Sequence, residues 1–377
     1  MILKDFNIIF LDRIEKGTIQ IQDGIIRQIN NSDIHESDEV KDGHFAQYLS
    51  PGFIDVHIHG AGGRDTMEGT FDALNTISQT ICQYGTTSFL PTTMTQRPDL
   101  VRQAVRAIKE NSFRVEGAQI IGIHMEGPFI NLGAMGAQNP QFVTPPSVEA
   151  FQALVEEDED FITTVTLAPE VHGALGLIRY FRERGINASI GHTSASYEEA
   201  MAGIEAGCNH STHLFNTMPP FLHRKPGVVG AVFDTEITTE TISDGIHVAY
   251  PALRTAYKVK GADKVLLVTD AMMACGMHDG DYSLGGQAVV VKDGAARLRS
   301  GALAGSILTL DKSIANVIHH TSLPLYDVVR MATYNPAVLC GVEKHKGQIA
   351  DGYDADLVIF DDDIAVKEVY IKGRRVK

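Results

Sequence analysis

Hydrophobic and polar positions along the middle of the chain follow two alternating patterns. Short, largely uncharged apolar segments predict buried strands at residues 53–58, 87–90, 120–125, 162–167, 188–190, 210–215, 239–242 and 265–269. Longer amphipathic segments between them predict helices at residues 71–84, 100–110, 147–157, 171–184 and 196–206. Ser147 and Ser196, each followed closely by acidic residues, are typical of helix starts.

Eight strands that alternate with helices favour a (β/α)8 TIM barrel over a doubly wound sheet. The early strands are not followed by a glycine-rich dinucleotide-binding motif, which also disfavours the doubly wound alternative. The two ends of the chain differ from the middle, because both consist of short β-rich segments separated by charged residues and glycine. We therefore predict an α/β fold in which a TIM barrel at residues 51–345 carries one small sheet assembled from both termini, residues 1–50 and 346–377.

Composition and charge restrict the class of protein. Apolar residues make up 44% of the chain, enough for a large buried core, and the net charge is −15. Such an acidic chain disfavours nucleic acid or an anionic membrane as a partner. The four cysteines are isolated from one another, the start lacks the pattern of a signal peptide, and no apolar stretch reaches about 18 residues. These features predict a cytoplasmic protein with reduced thiols.

Polar residues that can bind a metal occur where the predicted barrel strands end. In a TIM barrel the carboxyl ends of the strands meet at one opening, which is where catalysis takes place. Imidazole and carboxylate groups suit Zn, Fe(II) and related divalent cations. One histidine at a strand end carries little information, but several at the same opening predict a metal site. The residues in question are His57, His59, Glu126, His192, His213 and Asp270.

The other histidines are assigned no such role. We expect His124 to be either a residue that supports the metal ligands or a hydrogen-bonded core histidine, and we leave His210 and His223 undecided. The remaining ones are expected at the surface, namely His35, His44, His172, His278, His319, His320 and His345.

Several motifs resemble a known family. The segment Pro51-Gly-Phe-Ile-Asp-Val-His-Ile-His-Gly60 resembles the first-strand signature of the amidohydrolase superfamily, and residues 347–360 are similar to its usual ending. The resemblance implies that the sheet from both termini is the small β-sandwich domain of that superfamily, residues 1–50 and 346–377. Within that superfamily, other motifs resemble the N-acetylglucosamine-6-phosphate deacetylase family, and the resemblance covers essentially the whole chain. They are His124-Met-Glu-Gly-Pro-Phe129, Gly191-His-Thr193, Thr212-His-Leu-Phe-Asn216, Asp244-Gly-Ile-His247, Val268-Thr-Asp-Ala-Met272 and Leu303-Ala-Gly-Ser306.

The resemblance implies roles for the residues at the strand ends. Glu126, His192 and His213 match the family's principal metal ligands, and His57 with His59 matches the pair that holds a second ion in some members. One or two divalent cations, Zn or Fe, are therefore expected.

The resemblance also implies how the acetamido group is hydrolysed. Asp270 matches the catalytic aspartate, which takes a proton from the attacking water and passes it to the departing sugar nitrogen. His247 is expected to bind the sugar and to stabilise the tetrahedral oxyanion, a contribution of about 3 kcal/mol for donors of this kind.

The same resemblance implies a site for a phosphorylated sugar. Asn216, Thr217 and Arg224 are expected to bind the phosphate, with Arg224 supplied by the neighbouring subunit of a homodimer; from the residues alone, Arg224 could equally be an ordinary exposed cation. Gln138 and Leu303 are expected to contact the sugar. Two positions depart from the family: Thr217 replaces the usual Ala, and Gln138 replaces a His of several members.

Two other interpretations compete with hydrolysis of N-acetylglucosamine 6-phosphate. The first is a different amidohydrolase activity, on N-acetylgalactosamine 6-phosphate or on a cyclic amide, which Gln138 leaves open. The second is a non-catalytic scaffold that kept the barrel and lost the metal. The presence of every expected ligand in the sequence disfavours the scaffold.

Overall fold

The computed structural model describes residues 1–30 and 39–377, and in these residues eight parallel strands form a barrel. We number the barrel strands from first to eighth in chain order. Their bounds are Phe53–Ile58, Thr86–Thr93, Ile123–Glu126, Ile162–Leu167, Asn187–Ile190, Cys208–Ser211, Thr238–Ile242 and Val265–Val268. Consecutive strands are hydrogen-bonded neighbours, and the amide of Asp270 donates to the carbonyl of His57 at 2.9 Å, which links the eighth strand to the first. The predicted TIM barrel is confirmed.

Helices follow the barrel strands and cover the outside of the barrel with their apolar faces. Ser147 and Ser196 cap their helices as predicted, since each hydroxyl accepts from a first-turn amide, and Glu199 completes a capping box with Ser196. The helices are Phe71–Cys82, Pro98–Asn111, Val148–Val155, Ala174–Arg184, Tyr197–Ala206, Gly227–Asp234, Tyr250–Lys260, Leu310–His320, Leu325–Met331 and Tyr334–Leu339. Short 3₁₀ turns lie at Thr66–Glu68, Leu132–Ala134, Pro140–Phe142, Glu156–Phe161 and Ala262–Lys264.

Strands from both termini form a second sheet, as predicted. They are Ile2–Ile9, Ile14–Gln22, Ile25–Ile29, Val40–Asp42, Tyr48–Pro51, Leu357–Phe360, Val366–Ile371 and Arg374–Arg375. The two ends of the chain meet where Leu357–Phe360 pairs with Tyr48–Pro51. This sheet has an apolar core of its own around Phe6 and Leu357. The exact domain boundaries remain a prediction.

The sixth and third barrel strands differ from their predicted bounds. The sixth strand ends at Ser211 rather than at residue 215, because His213 and Phe215 have φ values of 30° and 77° and the chain leaves the extended conformation. The third strand is preceded by a separate pairing at Gln119–Ile120. Gly122 lies between this short pairing and the third strand, and a Cβ added there would come within 1.9 Å of Thr163 Oγ1. Both predictions were wrong in their bounds, although both strands exist.

Smaller sheets were not predicted. A three-stranded sheet, Gly280–Leu284, Gln287–Lys292 and Ala295–Leu298, follows the eighth barrel strand and packs against Met94 and Met272. A two-stranded sheet, Gly60–Ala61 and Arg64–Asp65, lies after the first strand. None of the described helices combines the length and apolar character needed to cross a membrane. All four cysteines are free thiols.

Candidate active site

A cavity of about 230 Å³ opens at the carboxyl ends of the barrel strands. It brings together most of the residues that the sequence predicted for the site. Those that line it are His59, Glu126, Gln138, His192, His213, Asn216, Thr217, His247, Asp270 and Leu303. We call a group of six residues, five that line the cavity and the fully buried His57 beside them, the candidate metal centre: His57, His59, Glu126, His192, His213 and Asp270.

Three side chains converge at one side of the floor. Glu126 Oε1 lies 3.0 Å from Nε2 of His192 and 3.0 Å from Nε2 of His213, and the two nitrogen atoms are 3.2 Å apart. A tetrahedral Zn ion with bonds of roughly 2 Å separates its ligand atoms by about 3.3 Å. The three atoms therefore have nearly the spacing that one ion requires.

A second group of ligand atoms shares the carboxylate of Glu126. His57 Nε2 and His59 Nε2 are 3.3 Å apart, and they lie 3.4 Å from Glu126 Oε1 and 3.2 Å from Glu126 Oε2, respectively. Asp270 Oδ1 lies 3.3 Å from His59 Nε2 and 3.6 Å from His57 Nε2. Glu126 thus stands between two possible ion positions.

The histidine rings are oriented to present lone pairs to the centre. Three Nδ1 atoms lie against oxygens that only accept hydrogen bonds, so these nitrogens carry the protons and the neutral rings have lone pairs at Nε2. The contacts are His57 to the Glu240 carboxylate at 2.8 Å, His59 to the Thr92 carbonyl at 3.1 Å, and His192 to the Ala134 carbonyl at 3.0 Å. Lone pairs and carboxylates that face one another at about 3 Å fit a divalent cation between them.

The pKa shifts of the carboxylates and of His59 agree with the close approach of carboxylates and imidazoles at the candidate metal centre. Burial alone would raise the pKa of Glu126 and of Asp270, but the neighbouring imidazoles outweigh it and lower both pKa values. Burial lowers the pKa of His59, yet the carboxylates of Asp270 and Glu126 reverse this and raise it to about 9. Without a cation, protons on the imidazoles therefore supply the positive charge that these carboxylates attract.

Unusual backbone geometry positions three residues of the candidate metal centre. His192, His213 and Asp270 have φ values of 47°, 30° and 48°, in a region that non-glycine residues rarely occupy. Each lies just after a barrel strand, where the turn aims its side chain into the cavity. Strain of this kind is concentrated at functional sites.

Two polar side chains, Gln138 and Asp244, hold Glu126 and His247 in place. Gln138 donates from Nε2 to Glu126 Oε2 at 2.6 Å and accepts from the amide of Thr95 at 2.7 Å. Asp244 Oδ2 lies 2.6 Å from His247 Nδ1, while its Oδ1 accepts from the amide of His247 at 2.8 Å. Gln138 lines the cavity, and both ends of its amide are engaged within the protein; its contact with the sugar stays a prediction.

Sequence reasoning missed Glu240. This carboxylate is fully buried on the seventh strand, between His57 and His210. Burial would raise its pKa, but the charges and hydrogen bonds of these two histidines lower it well below the usual value. A single acidic residue within the otherwise uncharged strand Thr238–Ile242 was the signal that could have revealed it.

The histidines that the sequence left undecided now have definite surroundings. His124 is a hydrogen-bonded core histidine, with contacts to the Val56 carbonyl at 3.1 Å and Thr166 Oγ1 at 2.7 Å. His210 is buried against Glu240, and His223 is exposed. His35 lies outside the described residues. The other histidines predicted at the surface are exposed there: His44, His172, His278, His319, His320 and His345.

The predicted substrate contacts form a looser group, which we call the substrate rim: Asn216, Thr217, Arg224 and Leu303. Asn216, Thr217 and Leu303 are half-buried at the cavity. Arg224 is exposed, does not line the cavity, and forms no ion pair with any described residue. One chain therefore does not bring Arg224 to the site.

The barrel, the terminal sheet and the buried His and Glu side chains that could hold a metal together define a hydrolase of the amidohydrolase type, and comparison with known proteins agrees. Residues 48–376 match the amidohydrolase family, so the chain belongs to that family. It is 39% identical over 364 residues to the N-acetylglucosamine-6-phosphate deacetylase of Lysinibacillus sphaericus, covering 96% of this chain and 94% of the relative.

Two further likenesses bear on substrate and fold. The N-acetylgalactosamine-6-phosphate deacetylase of Escherichia coli O157:H7 is 32% identical, over 94% of this chain and 93% of that protein. The crystal structure of N-acetylglucosamine-6-phosphate deacetylase from Pasteurella multocida superposes with a TM-score of 0.94 at 32% identity, covering 99% of this chain and 98% of the other. The likeness therefore extends over both the barrel and the terminal sheet.

Proposed function

We propose that the protein hydrolyses the acetamido group of N-acetyl-D-glucosamine 6-phosphate, giving D-glucosamine 6-phosphate and acetate, a step of amino-sugar catabolism. The observation that carries the proposal is the buried group Glu126, His192 and His213, with Asp270 facing the same cavity. The substrate follows from the relatives, which match nearly the whole chain.

Two positions at the floor are suited to hold divalent cations, Zn or Fe. Glu126, His192 and His213 would hold one ion, and His57, His59 and Glu126 a second. When bound, such an ion lowers the pKa of water towards about 7 and polarises a carbonyl group.

The protein's own side chains supply the proton transfers. Burial would raise the pKa of Asp270, but the imidazoles of His57 and His59 lower it below its usual value, and the side chain is only slightly exposed at the cavity. As a carboxylate, Asp270 can accept a proton from the attacking water and deliver it to the departing sugar nitrogen. Asp244 Oδ2 accepts from Nδ1 of His247. When Nε2 also carries a proton, the imidazolium can donate from Nε2 to the oxygen of the acetamido group as negative charge develops on it.

We propose that the phosphate is bound by Asn216, Thr217 and an arginine from a second copy of the chain. Arg224 lies in an exposed loop with Phe221 and Leu222, whose surfaces are 53% and 52% exposed. Two exposed apolar side chains beside a cation that has no ion-pair partner among the described residues are suited to a contact between subunits. The protein would then act as a homodimer, in the cytoplasm, where its free thiols stay reduced.

A related substrate, N-acetylgalactosamine 6-phosphate, is the second candidate. It is favoured by the 32% identity to the galactosamine enzyme of Escherichia coli O157:H7. Gln138 does not decide between the two sugars, because its amide is engaged by Glu126 and Thr95.

Parallel assays on one metal-quantified sample test the proposal. Purified protein is given both N-acetylhexosamine 6-phosphates and unphosphorylated N-acetylglucosamine, and acetate release is measured. We expect the glucosamine phosphate to be the best substrate and a chelator to abolish turnover. Preference for the galactosamine phosphate would support the second candidate, and equal turnover of the unphosphorylated sugar would refute the phosphate site. If the protein bound no divalent ions and released no acetate, it would be the non-catalytic scaffold.

A further inference from the structure

Glu240 is a buried carboxylate that touches both halves of the candidate metal centre. It lies on the seventh strand with no exposed surface, directly behind the histidine ligands. Its Oε2 lies 2.8 Å from Nδ1 of His57 and accepts from the amide of His213 at 3.1 Å. One oxygen atom therefore contacts a ligand of each possible ion position.

The other oxygen atom of Glu240 is anchored on the far side from the cavity. Oε1 lies 3.2 Å from Nε2 of His210, and Nδ1 of His210 lies 2.7 Å from Thr238 Oγ1. His210 is itself fully buried. These contacts fix the carboxylate plane, so that Glu240 cannot turn away from His57 without losing a buried hydrogen bond.

The two contacts of Glu240 with the centre are not equivalent. The hydrogen bond to His57 fixes the orientation of the ring and determines that Nδ1 carries the proton. Among the described residues, no other hydrogen bond holds Nδ1 of that ring. The His213 segment is held by more than the carboxylate, because the amide of Leu214 donates to the backbone carbonyl of Glu240 at 2.9 Å. Loss of the carboxylate should therefore affect His57 more than His213.

A buried negative charge at this place also favours cations. If both positions fill, the negative charges of Glu126 and Asp270 are the two at the centre that offset the positive charge of two divalent ions. Glu240 adds a third buried carboxylate without occupying a coordination position at the cavity. Carboxylates that accept from the free ring nitrogen of a ligating histidine typically change metal affinity by about 10- to 100-fold.

We propose that Glu240 is a positioning residue that makes the His57–His59 position able to hold a second divalent cation. It does so by orienting His57 with Nε2 towards Glu126 and by placing its charge behind that ring. This rests on the proposed metal-dependent function for the identity of the centre, but it concerns ion binding rather than the reaction.

Zn²⁺ binding to Glu240→Gln and wild-type protein tests the proposal. Chelator-treated protein is equilibrated at a series of buffered free Zn²⁺ concentrations, and the ions per chain are counted by elemental analysis. We expect two ions in the wild type. In the variant, we expect the weaker ion to be lost or bound at least about tenfold less tightly, with less than about threefold change for the tighter ion. Glu236→Gln removes an exposed acidic charge near the same strand and should leave both affinities unchanged.

A second variant guards against misfolding of the first. His210→Gln leaves Glu240 charged but weakens its anchor, so we expect the same selective loss with a smaller amplitude. Circular dichroism and thermal denaturation report folding in each case. If Glu240 had a purely structural role, its replacement would lower the melting temperature and weaken the binding of both ions alike.

Several outcomes would overturn the proposal. They are an equal loss of affinity for both ions in a folded variant, unchanged affinity for both ions, or a wild-type protein that takes up only one ion. Failure of the proposed deacetylase function is distinguishable, since it would appear as absent acetate release while the two-ion pattern and its dependence on Glu240 persist.

Discussion

The candidate metal centre and the substrate rim are built differently, although most residues of each, all but His57 and Arg224, line the same cavity. Every residue of the metal centre is at most 8% exposed. Its histidines His57, His59 and His192 are fixed by acceptors elsewhere in the barrel. The substrate rim, in contrast, is half-buried or exposed, and Arg224 has no ion-pair partner among the described residues.

This difference indicates where the free energy for each half of the site comes from. Folding of the barrel orders the metal centre before any substrate arrives, which is the preorganisation that electrostatic catalysis requires. Under the proposed function, the rim is completed by substrate and by another chain, so its ordering is part of binding. Changes at the centre should therefore alter turnover and stability, whereas changes at the rim should alter mainly substrate affinity.

The largest effect is expected at the centre, from Asp270→Asn. The amide keeps the shape of the carboxylate but cannot accept the proton, so kcat should fall by about 10²- to 10⁴-fold. Glu126, His192 and His213 remain, so the variant should retain the ion they hold. Elemental analysis and acetate release from the same sample measure both quantities. Near-normal turnover in the variant would show that Asp270 is not the proton carrier.

The stability of the metal-free protein should depend on pH through the same centre. The pKa of His59 is raised from about 6.5 in the unfolded chain to about 9 in the folded one. Its stabilising contribution is therefore fully present below pH 6.5 and is lost as pH rises through 9, by about 3 kcal/mol for the full shift. Added Zn²⁺ should remove the loss, because the ion replaces the protons.

Urea denaturation of chelator-treated protein between pH 6 and 10 measures this effect. His59→Asn should flatten the profile, whereas His278→Asn, a change at an exposed histidine, should not. A metal-free wild type whose free energy of unfolding does not fall over this range would contradict the charge balance described for the centre.

At the rim, Arg224→Ala should act on binding. Loss of a guanidinium–phosphate contact worth about 2 kcal/mol would raise KM for the phosphorylated sugar about 30-fold, with kcat nearly unchanged. Lys225→Ala, at the adjacent exposed cation, is the matched control and should have little effect. A fall in kcat with constant KM would place Arg224 in the chemistry and remove the contrast between rim and centre.

Mixing two inactive or weakened variants tests whether Arg224 acts across a dimer. A heterodimer of Arg224→Ala with Asp270→Asn has one site with both intact residues if the arginine comes from the partner chain. Random exchange of subunits should then restore roughly a quarter of wild-type activity at low substrate concentration. No recovery after verified exchange would mean that Arg224 serves its own chain.

Part of the fold and of the candidate site could be predicted from the sequence. Strand positions and histidine spacing follow from apolar patterning, so the barrel, the terminal sheet and the convergence of His57 with Glu126 were predictable. The left-handed backbone at His213 was not, because local propensity disfavours it and tertiary contacts impose it. Glu240 escaped notice because its importance lies in contacts with His57 and His210, which are 183 and 30 residues away along the chain.

The smallest effect is expected from Thr217→Ala, at a rim position where the family usually has alanine. The Thr217 hydroxyl donates to the carbonyl of Asn216 at 2.6 Å, so it is occupied within the chain, and the backbone has a φ of 53° that a β-branched residue adopts reluctantly. If phosphate binds through main-chain amides, alanine leaves those amides in place, and kcat/KM should change by less than about threefold. Steady-state kinetics with the phosphorylated sugar, beside Arg224→Ala on the same preparation, measures the difference. A loss as large as that of Arg224→Ala would assign the threonine hydroxyl itself to the phosphate, and the rim would then be preorganised by its side chains, as the metal centre is.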